Sequence, residues 1–168
     1  LADTKKPNLF SKLVLIGPSP CYINKENYFG GFGQEDIEGL LEMMDSNYMG
    51  WSASLAPKIM GNPDSPELGE ELTSSFCKTD PVIAKHFARV TFLSDNREDL
   101  PKVTADCLIL QCSDDIIAPE KVGKYVHQQI PDSRYILMEA TGHCPHVSAP
   151  QETIQHIKSF LTENEMAR

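Results

Sequence analysis

The chain has 168 residues, of which 40% are hydrophobic and 23% are charged, and these ordinary values exclude a protein that is disordered throughout. Its length suits one domain rather than two. It carries 24 acidic side chains against 15 Lys and Arg, a net charge of −9, which disfavours nucleic acid as a partner because phosphate backbones repel acidic surfaces.

The cysteine content and the N-terminal residues indicate the cellular compartment of the protein. The five cysteines are an odd number and show no CxxC spacing, which favours a reducing cytoplasm over a disulfide framework. No apolar run approaches the roughly 20 residues of a membrane-spanning helix, so we predict no membrane insertion. Residues 1–7 lack the apolar stretch of a signal peptide, and the absent initiator Met leads us to expect a start inside a longer protein.

The first predicted element is a strand, and a helical region follows it. Residues 12–17 form a short apolar run closed by Gly17-Pro18, as in a strand buried on both faces of a parallel sheet. From about Gln34 to Asn96 no strand is evident, and we predict a helical insertion between two strands. Its apolar residues at helical spacing are Ile37, Leu40, Leu41 and Met44, then Val82, Ile83, His86, Phe87 and Val90, and its predicted breaks are Pro57, Gly61-Asn62-Pro63 and Pro66.

The second half alternates strands with helices, which is typical of an α/β domain. Apolar runs at 106–112 and 134–139 predict two further buried strands. Pro119 opens a helix between them that reaches about Gln129, and Pro150 opens a last helix. The apolar face of the first helix carries Val122, Tyr125 and Val126, and the predicted buried face of the last helix carries Ile154, Ile157 and Leu161.

Two loops that follow predicted strands carry the residues best suited to catalysis. Asp114 and Asp115 come directly after the second strand, and His143 comes directly after the third. The carboxyl ends of parallel strands meet at one sheet edge, so Asp115 and His143 are predicted to be neighbours. A carboxylate bonded to a histidine fixes the tautomer and stabilises the imidazolium, as in nucleophilic triads. In the alternative, the Asp pair caps the following helix and His143 is a loop residue with satisfied hydrogen bonds. That alternative is favoured for an Asp or a His alone, but the catalytic interpretation is favoured for both together.

No serine of this chain fits the nucleophile of such a triad. A nucleophile elbow needs Gly-x-Ser-x-Gly between a strand and a helix, and the motif does not occur. Ser52 lies in a near match within the helical insertion with no strand before it, and is predicted to be an ordinary helix residue. Ser19 follows a strand, but prolines on both sides oppose a tight turn into a helix.

Three other groups of residues are candidates for a metal site, a nucleophile and a pocket wall. His143, Cys144 and His146 lack a distant fourth ligand, which disfavours a metal site. Cys144 is disfavoured as a nucleophile because neighbouring side chains of an extended loop point apart. Trp51, the single tryptophan, fits equally well as a core residue of the insertion or as a wall of a pocket between insertion and sheet.

Five stretches of the sequence closely resemble the RsbQ-type α/β-hydrolases of the bacterial general stress (sigma-B) pathway, which are similar to the plant strigolactone and karrikin receptors. The stretches are LIGPSPCY at 15–22, NYMGW at 47–51, FLSD at 92–95, LILQCSDD at 108–115 and GHCPH at 142–146. The resemblance implies a doubly wound α/β-hydrolase fold with a four-helix lid. It divides the chain into a core strand and lid entry (1–33), the helical lid (34–96) and a C-terminal α/β core with the acid and base loops (97–168).

The resemblance also implies a function and site residues. The family uses a Ser–His–Asp triad, in which the acid corresponds to Asp115 and the base to His143. Trp51 matches a lid tryptophan that faces the ligand pocket, and Phe92 lies in a matching lid segment. The implied substrate is a small hydrophobic ester or lactone, and the implied bacterial partner is a phosphatase with a sensory domain. No cofactor or metal is implied.

The resemblance covers the family's C-terminal part alone. The early strands, the oxyanion hole and the nucleophile elbow would all lie before Leu1, so the chain is expected to be a fragment or the second of two pieces. An isolated piece would leave a sheet edge unpaired. The alternatives are a non-catalytic receptor of the same fold, whose acidic segment with Glu35, Asp36, Glu38, Glu42 and Asp45 contacts a basic partner, and a truncated piece with no activity.

Overall fold

The computed structural model describes residues 2–162 of the chain. Three strands and eight α-helices occur in these residues, together with one 3₁₀ helix at Arg97–Lys102. In chain order they are α1 (Ala2–Lys5), β1 (Lys12–Ile16), α2 (Gln34–Ser46), α3 (Tyr48–Met60), α4 (Pro66–Lys78), α5 (Pro81–Phe92), β2 (Asp106–Ser113), α6 (Glu120–Gln129), β3 (Ser133–Thr141), α7 (Pro145–Ser148) and α8 (Pro150–Thr162). Residue 1 and residues 163–168, which belong to the first and third predicted segments, lie outside the described residues.

The three predicted strands form one parallel sheet in the order β1-β2-β3. The central strand β2 is the most buried, because its alternate side chains pack against helices on opposite faces. Cys107 and Ile109 contact Val126 of α6, while Leu108 and Leu110 share a core with Phe160 of α8. The carboxyl ends of all three strands therefore lie at one edge of the sheet.

The last helix is rotated relative to the prediction. Ile154 and Leu161 are 50% and 49% exposed, whereas Thr153 and Phe160 are buried. Phe160 enters the core beside β2, and the Thr153 hydroxyl donates to the carbonyls of Pro145 and Ala149. Ile157 packs against that core as predicted, whereas the two buried residues each lie one position, or about 100°, before a predicted one. The prediction was wrong because it counted apolar residues and ignored a threonine whose hydroxyl is satisfied locally.

Four helices, α2 to α5, fill the region between β1 and β2, as predicted. Side chains cap two of them: Asn47 accepts from the Gly50 amide at the start of α3, and Asp80 accepts from the Val82 amide at the start of α5. Contrary to the prediction, Pro57 does not interrupt the helix. It lies inside α3, which continues to Met60 and is capped by Gly61. The turn after Pro57 persists because the Gly61 amide donates to the Pro57 carbonyl.

Two features of the fold face outward. Within residues 2–162, β1 pairs with β2 alone, and its five residues are only partly buried. On α5, Val82, Ile83 and Phe87 are between 66% and 77% exposed. None of the described helices is long and apolar enough to cross a membrane.

Candidate active site

Asp115 and His143 meet at the carboxyl edge of the sheet, as the sequence predicts. His143 Nδ1 lies 2.8 Å from Asp115 Oδ2, which is hydrogen-bond distance. The Asp115 side chain is fully buried, and the His143 side chain is 25% exposed. The pair therefore joins a carboxylate removed from water to an imidazole that solvent or a ligand can reach.

In the loop after β2, the two carboxylate oxygens of Asp115 accept hydrogen bonds from different partners. Asp114 adopts a left-handed backbone with φ of 53° and is exposed, while Asp115 turns inward. Asp115 Oδ1 accepts from the amides of Ile117 and Ala118, at 2.8 and 2.9 Å. Asp115 therefore caps its own loop, and the same carboxyl group still offers Oδ2 to His143. The predicted meeting with His143 is therefore observed, whereas the alternative helix cap is not, because Ile117 and Ala118 precede α6 and no side chain caps that helix.

This arrangement assigns the protons of the imidazole. Oδ2 of an ionised carboxylate can only accept, so Nδ1 of His143 carries the hydrogen of the bond. In neutral His143, Nε2 then holds the lone pair and can take a proton from another group. The buried carboxylate stabilises the imidazolium that results.

Gly17, at the end of β1, lies directly against the pair. A Cβ placed on Gly17 would lie 3.1 Å from His143 Nδ1 and 3.3 Å from Asp115 Oδ2, and the residue has a positive φ of 52°. A larger residue would strain the backbone and press on both side chains. The segments that follow the three strands thus each contribute one residue to the site.

An apolar cavity of about 540 Å³ has His143 in its wall. Trp51 and Phe92, both predicted to face a pocket, also line it. Trp51 is 7% exposed and stacks between Tyr48 and Phe76, with ring centroids 6.0 and 5.7 Å away. Core packing and pocket lining are therefore both correct for this tryptophan. The volume lies within the range of small-molecule sites.

Tyr22, for which no role was predicted, lies in the same cavity wall. Its ring contacts Phe92 edge to face at 5.0 Å. Burial and the nearby Asp115 charge raise the pKa of the Tyr22 hydroxyl. Its position in the loop after β1 was the available signal, because loops after parallel strands collect functional groups.

Cys144 and His143 both line the cavity. Cys144 is the residue that precedes α7. Burial, with a contribution from Asp115, raises the pKa of the Cys144 thiol to about 11. The thiolate that a nucleophile needs is therefore scarce at neutral pH.

The hydroxyl groups of the two candidate serines donate hydrogen bonds to backbone carbonyls and not to His143. The Ser52 hydroxyl is buried within α3 and donates to the Tyr48 carbonyl, and the Ser19 hydroxyl donates to the Cys21 carbonyl. Across residues 2–162, no serine hydroxyl bonds to His143. The same residues contain no group of three or more His, Cys, Asp or Glu side chains that could hold a metal ion.

Cavity size alone would select a different place. A cavity of about 660 Å³ lies between α3 and α4, and none of the predicted site residues lines it. The smaller cavity is the one that joins the Asp115–His143 pair to an apolar wall, so chemistry rather than volume identifies the candidate site.

Known proteins similar to this chain are esterases, hydrolases and receptors. It is 36% identical over 169 residues to Karrikin insensitive 2 receptor IA of Petunia hybrida, a match that spans 98% of the chain and 62% of that protein. It is 35% identical over 165 residues to Strigolactone esterase RMS3 of Pisum sativum, which covers 97% of the chain and 61% of that protein. No family model matches the chain.

A solved hydrolase from Oleispira antarctica has the same arrangement of elements. The match has a TM-score of 0.91 and 40% identity, and it covers 96% of this chain and 60% of that structure. The chain thus spans about three fifths of the length of the proteins it matches.

Proposed function

Because the chain has the fold of a part of an α/β-hydrolase, we propose that the protein to which it belongs hydrolyses small hydrophobic esters or lactones. His143 acts as general base and Asp115 orients it. The observation that carries the proposal is the 2.8 Å bond between His143 Nδ1 and Asp115 Oδ2 at the wall of an apolar cavity. A serine outside these 168 residues supplies the nucleophile.

The chemistry divides between this chain and the remainder of the protein. His143 Nε2 removes the proton from the serine hydroxyl as its oxygen attacks the ester carbonyl. The imidazolium, stabilised by Asp115, then gives that proton to the departing alkoxide, and an acyl-serine remains. Water attacks the acyl group with His143 again as base, which releases the acid and restores the serine.

The cavity wall defines the substrate class. Of the described residues that line it, none is Lys, Arg, Asp or Glu, and most are aromatic or aliphatic. A charged ligand would lose its hydration there without gaining a partner. An uncharged, largely apolar ester of modest size is the ligand that this wall favours.

The edge of β1 that is unpaired in the described residues favours a nucleophile that follows a further strand next to β1. β1 has an edge without a partner in residues 2–162, and Gly17 at its carboxyl end lies against His143. A further parallel strand on that edge would end close to the imidazole. Its N–H and C=O groups would satisfy the open ladder of β1.

A serine-directed fluorophosphonate tests the proposal in the full-length natural protein. We expect it to label one serine outside the 168 residues and to abolish hydrolysis of a generic aryl ester. His143→Ala should reduce both labelling and turnover by about 10³-fold or more. Ser52→Ala and Ser19→Ala are matched controls that should leave both rates unchanged.

Two outcomes would overturn the proposal. One is a His143→Ala protein that hydrolyses the ester at the unaltered rate. The other is labelling at Ser19 or Ser52, which would place the nucleophile within this chain. Labelling outside the chain with loss in His143→Ala supports both the serine mechanism and the role of His143.

A ligand-binding receptor is the second candidate, because the Petunia hybrida protein that matches this chain is named a receptor. In this proposal the cavity binds the same apolar ligand, and the helical lid formed by α2 to α5 presents a surface to a partner, such as a sensory-domain phosphatase of bacterial stress signalling. Signalling that persists in His143→Ala would favour the receptor, and signalling that disappears with hydrolysis would favour the enzyme. The cytoplasmic location stays a prediction. It was based on the cysteines, all five of which are free in the structure.

A further inference from the structure

The backbone of His143 is held by a helix of the insertion rather than by its own strand. Its amide donates to the carbonyl of Ile59, near the end of α3, at 2.9 Å. Ile59 also lines the cavity, and 84 positions of sequence separate the two residues. The position of the imidazole thus depends on where the last turn of α3 lies.

The carbonyl groups at the end of α3 need hydrogen-bond donors from outside the helix. The last carbonyls of a helix have no partner within it and must find donors elsewhere. The Pro57 carbonyl accepts from the Gly61 amide, the Ile59 carbonyl from His143, and the Met60 carbonyl from Asn62 Nδ2 at 2.6 Å. The loop that carries His143 and the side chain of Asn62 therefore complete the helix terminus.

Two glycines let the two segments cross at this point. Gly61 ends α3 with φ of 67°, and Gly142 precedes His143 with φ of 77°. A Cβ on Gly61 would lie 2.9 Å from the Gly142 Cα, and a Cβ on Gly142 would collide with the Met60 carbonyl. The backbones meet without side chains between them, which is why the Ile59–His143 bond can form.

The side chain of Asn62 fastens this crossing. Besides the Met60 carbonyl of α3, its Nδ2 reaches the Thr141 carbonyl at the end of β3, at 3.3 Å. The two hydrogens of one amide nitrogen thus bridge the helix terminus and the strand terminus. Two residues after Thr141 the chain reaches His143. Both partners are carbonyls, so an amide nitrogen, and not an oxygen, must face them.

From this bridge we infer that Asn62 is a positioning residue for His143, a role that rests on the proposed function. Asn62 touches no reacting atom. It fixes the distance between the end of α3 and the loop that carries the base, and so holds the imidazole at Asp115 in the geometry for proton transfer. Small displacements of a catalytic group reduce the rate far more than they reduce binding.

Asn62→Asp is the sharpest test, because it preserves shape and removes both donors. A carboxylate would face two carbonyl oxygens and push the segments apart. We expect the backbone amide of His143 to exchange with deuterium about five- to tenfold faster, and kcat for an aryl ester to fall about tenfold with KM within about twofold. Asn62→Ala, which lacks the repulsion, should give the same pattern more weakly and serves if Asn62→Asp does not fold.

Asn47→Ala is the matched control. Asn47 caps the opposite end of α3 through the Gly50 amide, so its removal weakens the same helix without touching the crossing. It should leave the exchange of the His143 amide and kcat near their original values. The measurements are made on the full-length natural protein by hydrogen-exchange mass spectrometry or NMR, with steady-state kinetics beside them.

The outcomes separate this inference from the proposed function. Unchanged His143 exchange in both Asn62 variants would overturn the role of Asn62, whether or not the protein is an esterase. Equal acceleration in Asn47→Ala would also overturn it, since general loosening of α3 would then explain the effect. Faster exchange at His143 in the Asn62 variants alone supports the role even in a protein that hydrolyses no ester.

Discussion

Strand β2 and helix α5 are both rich in apolar residues, yet they place them in opposite surroundings. Residues 107–112 of β2 are at most 1% exposed, whereas Ile83 and Phe87 of α5 are 66% and 70% exposed. Ile83 and Phe87 line the cavity, while the β2 side chains fill the core on both faces of the sheet. Apolar residues therefore fill the core in the sheet, whereas in the insertion they also line a cavity.

The largest effect is expected at the sheet edge, where Asp115→Asn should lower kcat for an aryl ester by about 10³- to 10⁴-fold. An amide can still accept from Ile117 and Ala118 through its oxygen, so the loop should stay folded. Its NH₂ would face His143 and favour the wrong tautomer. Asp114→Asn, at the exposed neighbour, is the control and should retain normal kcat with a similar melting temperature.

Ile109→Ala tests the stabilising half of the comparison. Ile109 is fully buried in β2 between β1 and β3, and its loss should reduce the free energy of unfolding by about 2–5 kcal/mol. Urea denaturation of the full-length protein measures it. A loss below about 1 kcal/mol would mean that β2 is not the packed centre described above.

Thiol chemistry should also separate strand β2 from the helical insertion, here represented by α4. Burial raises the pKa of Cys107 to about 11 and that of Cys112 to about 12, and both are in β2. At pH 8 only about one in a thousand thiols of pKa 11 is ionised, so alkylation should be slow and should accelerate about tenfold per pH unit. Cys77 of α4 is partly exposed and should be alkylated first. Mass spectrometry after timed iodoacetamide treatment identifies the order, and early labelling of Cys112 would contradict it.

The smallest effect on stability is expected for Phe87→Ala. Because the side chain is 70% exposed, the free energy of unfolding should change by no more than about 0.5 kcal/mol. The loss of a cavity wall should instead raise KM for an apolar ester several-fold. Val82→Ala, on the same helix but outside the cavity wall, should change neither quantity. A large loss of stability in Phe87→Ala would place α5 with the core.

The sequence predicted the elements whose pattern is local and the residues that topology brings together. The three strands were found because each is a short apolar run, although only β2 is buried on both faces. Asp115 and His143 were found because parallel strands end at one edge. The burial of Phe160 in place of Leu161 depended on which side chain fits beside β2, and spacing does not report that. The bridge from Asn62 to the Thr141 carbonyl joins positions 79 residues apart. A pattern read along the chain contains no trace of it.

The crossing of Gly61 and Gly142 also has a consequence for refolding. The contacts around His143 close loops of 28 residues to Asp115, 84 to Ile59 and 126 to Gly17. Such long-range closures carry the largest entropy loss and form slowly. During refolding from urea, helix content should therefore return first, and the 84-residue closure that joins the His143 amide to Ile59 should form after the shorter closure that joins the imidazole to Asp115.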